Sequence, residues 1–154
     1  MKTALIIIAI LVILGLASFF VLGKMSQKGI APGLVDGKLS KCSEKPNCVS
    51  SEYQDDAEHF IQPIIQQDID TIKTMSTIVS TIQSMDGIVY IEKNNYIAAI
   101  FSSSLFGFVD DFEVRIDPDQ GAIHFRSASR VGYSDAGVNK KRVETFKELY
   151  KQAL

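Results

Sequence analysis

Residues Thr3–Leu22 form an apolar run relieved only by Thr3 itself, Ser18 and the small Gly15. Coiled as a helix, twenty such residues reach about 30 Å, the thickness of a bilayer's hydrocarbon core. Gly15-Leu16-Ala17 places small residues where a signal peptidase could cut, which would make the run a cleaved secretory peptide. Phe19-Phe20-Val21-Leu22 carries the run past that point and favours an uncleaved signal-anchor over residues 1–23. No cysteine follows closely, which excludes a lipoprotein anchor. Lys2 precedes the span, whereas Lys24, Lys28, Lys38 and Lys41 follow it, so a literal count of positive charge opposes export. The lone lysine before an early apolar run is nevertheless the usual layout of an exported signal-anchor. The expectation is therefore a single-pass membrane protein with its domain on the periplasmic side and the lipid bilayer as a partner.

Residues 24–41, with Gly29, Pro32, Gly33, Gly37 and scattered lysines, read as a linker. Cys42 and Cys48 come next, with five residues between them and Pro46-Asn47 supplying a turn that lets the sulfurs approach. A structural disulfide is expected, because redox-active pairs usually enclose two residues at a helix start. It also suits an oxidising compartment.

The 154-residue chain leaves room for one globular domain, over residues 42–154. Sixteen basic residues against eighteen acidic ones lack the basic footprint of a nucleic-acid binder. There is no glycine-rich phosphate loop, no HExxH and no paired CxxC, and two histidines and two cysteines are few for a transition-metal site. Neither metal nor cofactor is expected. No motif specifies a reaction.

Asp68 is expected to cap a helix reaching Met85 and ended by Asp86-Gly87. Ile69, Ile72, Met75, Val79 and Ile82 would form its buried stripe, with Thr71, Thr74, Thr77, Thr81 and Ser84 on the solvated side. Four strands follow at Ile88–Lys93, Tyr96–Ser102, Val109–Asp117 and Ala122–Ser127, the first two joined at Asn94-Asn95. A last helix is expected from Asn139, burying Val143, Phe146, Leu149 and Tyr150. The fold class is α+β: a four-stranded antiparallel meander with two helices on one face, preceded by the transmembrane helix. His59 and His124 are expected at the surface.

Three motifs appear in order: Cys-x5-Cys-Val-Ser-Ser, Ser-Leu-Phe-Gly-Phe-Val-Asp-Asp-Phe-Glu, and the stretch Arg126–Arg142. From Cys42 onward the chain resembles the uncharacterised family catalogued as domain of unknown function 1499. The resemblance implies a shared fold and a shared site, and an N-terminal membrane segment like that of many members. It implies no activity.

The Arg126–Arg142 stretch is the candidate site. Arg126 and Arg130 offer forked donors for a carboxylate or phosphate, and Ser127 and Ser129 offer hydroxyls. Tyr133, Ser134, Asp135, Asn139 and Arg142 complete the set, with free N–H groups expected at the Asn139 helix start. Arg126 has Glu113 as a cross-strand partner, whereas nothing of opposite charge lies at strand spacing from Arg130, which marks it as the ligand contact. The alternative is that these charges pair and brace the loop. Asp110, Asp111 and Glu113 read more simply as surface charge than as acid/base or metal residues. Leu105-Phe106-Gly107-Phe108 is expected to fold inward as core; projecting outward, it would make an apolar patch beside the arginines, suited to an amphiphile or the bilayer surface. Three functions stay open: a binding module for an anionic or amphiphilic ligand, an envelope hydrolase using Asp111, Glu113 or Ser129, and a structural partner of a membrane complex.

Overall fold

Val109–Asp117 (β7) alternates apolar and polar residues, and that period sorts the molecule into layers. Phe112, Val114 and Ile116 face the helices, and Asp111, Glu113 and Arg115 face away. The computed structural model describes residues 1–154. In chain order it contains α1 (Lys2–Ser26), β1 (Leu34–Val35), β2 (Lys38–Leu39), β3 (Cys48–Ser50), β4 (Ile64–Ile65), α2 (Thr71–Ser84), β5 (Ile88–Lys93), β6 (Tyr96–Ser102), β7, β8 (Ala122–Ser129) and α3 (Val138–Gln152).

The class is α+β and the sheet is antiparallel, but it has six strands rather than four. Their order is β3-β8-β7-β6-β5, with β4 also on β8. The two extra strands are three and two residues long, too short to carry a periodicity of their own. They form because β8 has a free edge whose N–H and C=O groups need partners.

Local chemistry shapes the turns. Asn94 takes φ +56° in the β5–β6 turn, and Gly121 takes φ +58° before β8. Asp70, rather than Asp68, caps α2, its carboxylate accepting the N–H groups of Ile72 and Lys73 at 3.0 and 3.1 Å. The buried stripe of α2 is rotated from the expected one. It runs through Thr74, Met75, Ile78, Thr81 and Ile82, while Ile72 is 84 % exposed. Thr81 tolerates this because its hydroxyl donates to Thr77 O at 2.7 Å, leaving the methyl for packing. In α3, Val143, Phe146 and Tyr150 are buried and Leu149 is half-buried. Phe146 centres the core, its ring 5.3 Å from Phe112, 5.4 Å from Phe125 and 5.8 Å from Tyr150.

α1 is one helix long and apolar enough to cross a membrane, and its side chains are exposed from Leu5 to Leu22, with Phe19, Phe20 and Leu22 partly covered by the domain. The stretch behind it is not a free tether. Residues 27–41 lie as a strap over the sheet face opposite the helices, and β1 and β2 close a small hairpin within it. Ala31 and Leu39 pack with Tyr96 and Ala98 in a second, smaller core. Cys42 and Cys48 sulfurs lie at disulfide distance, with Cα atoms 5.8 Å apart.

Candidate functional site

Antiparallel pairing sets Glu113 directly opposite Arg126 and Arg115 opposite His124. Glu113, Arg115 and His124 were expected at the surface, but under the strap they are buried, and Arg126 is half-buried. Three ionic groups result. Arg126 Nη1 donates to Glu113 at 2.8 Å, and Glu113 also accepts the Tyr96 hydroxyl at 2.7 Å and the Gly33 N–H at 3.0 Å. Arg115 is forked onto Glu52 at 2.6 and 3.2 Å and also reaches Asp117 at 3.0 Å. Arg130 grips Asp111, Nη2 at 2.7 Å and Nε at 3.1 Å from each oxygen, and donates Nη1 to Ser26 O.

The Arg130 pairing overturns its expected role as an unpaired ligand contact. Asp111 stands opposite Ala128, so Arg130 is its diagonal neighbour two residues further on, within reach of a long side chain. The hydrogen bonds to Asp111 raise the guanidinium pKa above the ordinary arginine value, against the opposing effect of burial. Burial, reinforced by the Glu113 carboxylate, raises the Tyr96 pKa, so its hydroxyl remains a donor. Burial lowers the His124 pKa, overriding the pull of Glu52, which favours neutral imidazole.

The same alternation splits the expected cradle. Arg126 and Arg130 face the strap, whereas Ser127, Ser129, Asn139 and Arg142 meet on the helix side. There Asn139 is the hub. Its Oδ1 accepts from Ser127 Oγ and Arg142 Nη1, both at 2.6 Å, and its Nδ2 donates to Ser129 Oγ and Asn47 O, both at 3.0 Å. Arg142 also donates to Asp110 at 2.8 Å and lies over the Phe101 ring at 4.7 Å. At the α3 start the N–H groups of Gly137 and Asn139 are not free for an anion, because the Asp135 carboxylate accepts them at 2.9 and 2.7 Å. Tyr133 and Ser134 are exposed. Glu52, Asn47, Tyr96 and Tyr90, whose hydroxyl accepts the Ala31 N–H of the strap at 2.9 Å, were missed. Only the polar residues alternating along β7 hinted that a covered charged face needed such partners.

A family model described as a protein of unknown function (DUF1499) matches residues 38–149. The chain belongs to this family. No curated protein matches it. The DUF1499 match takes in all six sheet strands, α2, α3 as far as Leu149, and the charged side chains paired with Arg115, Arg126 and Arg142. It leaves α1 and the first part of the strap outside.

Where that outer segment meets the family domain there is a cleft of about 290 Å³. Phe19 and Leu22 of α1, Phe108, Val109, Val131 and Val138 form its apolar walls. Ser103, Ser129, Ser134, Asp110 and Asp135 give it a polar side. Each of the three hydroxyls accepts a hydrogen bond within the chain and donates none there. Their protons are available to a guest.

A second, acidic concavity lies by the disulfide loop, where His59 is buried rather than exposed. Its Nδ1 faces Asp56 Oδ1 at 2.8 Å and its Nε2 faces Lys45 O at 3.1 Å, so both nitrogens need protons. Burial lowers its pKa, but the hydrogen bonds to Asp56 and Lys45 and the Asp56 and Glu58 charges outweigh it, and the net shift is upward. A raised folded pKa stabilises below the unfolded value and loses that contribution as pH rises through the folded one. Full-length protein in detergent should therefore melt lower at about pH 9 than at about pH 6 through this group, and His59→Gln should remove that part of the fall. Identical pH profiles for the two proteins would contradict a protonated clasp.

Proposed function

We propose that this DUF1499 protein is a membrane-anchored binding module on the exported side, and that its ligand is an amphiphile with an uncharged or cationic polar end. The observation that carries the reading is the composition of the cleft: one apolar wall belongs to the helix that would stand in lipid. A ligand could pass from bilayer to cleft without leaving apolar surroundings. Free hydroxyl protons and carboxylate lone pairs on the polar side suit a headgroup bearing hydroxyls or an ammonium. An anionic headgroup has less support, since Arg115, Arg126, Arg130 and Arg142 each already hold a carboxylate. The exported orientation is supported by the cysteine pair, which suits an oxidising compartment.

The hydrolase reading has less support. Arginines hold Asp111 and Glu113, and Ser129 contacts Asn139 with no histidine as a base. Full-length protein extracted from membranes in mild detergent should carry one amphiphile class, enriched over the bulk lipid by mass spectrometry. Val131→Trp, which fills the cleft, should reduce that enrichment about tenfold or more, equivalent to some 1.4 kcal/mol of binding. Wild-type and variant lipid profiles that both match the bulk membrane would overturn the binding-module reading and leave the structural-partner reading ahead.

A further inference from the structure

We infer that the loop Ser103–Phe108, between β6 and β7, is a second membrane-embedded element that seats Leu105 in the bilayer surface beside α1. The inference rests on the reading of α1 as a membrane anchor. It does not require the cleft to hold a ligand.

The loop does not fold inward, contrary to expectation. It packs against the end of the apolar helix. The Phe106 ring lies 5.3 Å from Phe19 and 5.1 Å from Phe20, and Phe108 lies 6.3 Å from Phe19. A Cβ at Gly23 would collide with Phe106 O, so glycine there lets the loop backbone lie directly on the helix. Gln27 Nε2 donates to Gly107 O at 3.2 Å, and the Val109 N–H donates to Ser26 Oγ at 3.0 Å. These contacts fasten the loop to the last two turns of α1.

Depth follows from helix geometry. The apolar run ends at Leu22 and the first charge beyond it is Lys24. At about 1.5 Å per residue, Phe19–Leu22 occupy the final 5 Å or so of the apolar length. A loop packed on those residues shares their depth, at the boundary between hydrocarbon and headgroups. Leu105, next to Phe106, is 69 % exposed. One exposed leucine means little, but this one continues an apolar surface shared with α1.

Three of the loop's backbone N–H groups are met within the loop, which lowers the cost of a setting where an unmet polar group is expensive. Ser103 N–H donates to Phe108 O at 2.8 Å, Gly107 N–H to Ser103 O at 3.1 Å, and Phe108 N–H to Ser103 Oγ at 2.9 Å. Two attachments, helix and loop, would stop the domain from swivelling about α1 and hold the cleft mouth at headgroup level.

The chain contains no tryptophan, so Leu105→Trp in the full-length protein provides a single fluorescent reporter. In phosphatidylcholine vesicles its emission should be blue-shifted. Lipids brominated high on the acyl chain should quench it, and iodide should quench it several-fold less than a Lys151→Trp control at the exposed end of α3. If the protein stays with vesicles through an alkaline wash but iodide quenches both reporters equally, the loop lies in water and the inference is wrong. If the wash strips the protein from the vesicles, the anchor reading itself falls, and this inference with it.

Discussion

Arg130→Ala is expected to destabilise the domain by about 3–5 kcal/mol, because the Asp111 carboxylate would be left buried without its charge partner. Both side chains are nearly inaccessible, 9 % exposed for Arg130 and 5 % for Asp111. The loss is not confined to one pair, since Arg130 also donates to Ser26 O at the end of α1. Replacing both partners together, Asp111→Leu with Arg130→Met, should cost less than the single alanine, because no buried charge remains. Thermal and denaturant unfolding of the full-length protein in detergent measures both. A single variant within about 0.5 kcal/mol of wild type would mean that the pair braces nothing, and Arg130 would again be available for an anionic ligand.

Leu39→Ala should cost about 2–5 kcal/mol, the range for emptying a buried leucine site. Leu39 lies in a stretch whose glycines, proline and lysines resemble a tether, and a side chain in a free tether would contribute almost nothing. Here it is fully buried against Tyr96 and Ala98, and its N–H donates to Glu52. Losing it would loosen the strap over Glu113 and Arg126 and admit water to the ionic layer. An effect below about 0.5 kcal/mol would return residues 27–41 to the status of a linker.

How much of this was legible follows from the range over which each force acts. Hydrophobic period and turn chemistry operate between residues a few positions apart. They located β5, β6, β7 and most of β8, the Asn94-Asn95 turn, the buried stripe of α3 and the apolar helix α1. The two-residue error at the α2 cap comes from Asp68 and Asp70 both being able to cap, and only the chain path chooses. Cross-strand order also yielded the Arg126–Glu113 pair, because those two residues face each other in a simple hairpin.

The site was legible as a place but not as an arrangement. Arg126 to Arg142 read as one cluster because the residues are close in sequence. Strand alternation sends Arg126 to one face and Ser127 to the other, and Asn139 then joins the helix side. The burial of Asp111, Glu113, Arg115 and His124 could not be seen at all. It depends on a strap roughly 80 residues earlier crossing the sheet, with Gly33 and Leu39 supplying backbone donors to Glu113 and Glu52. The sequence alone determined the longer helices and strands and the apolar span, though not β1 to β4, because those outcomes rest on neighbours along the chain. Only the tertiary structure decided which charges are paired and which surface stays open, because a carboxylate's environment depends on whatever distant segment folds over it.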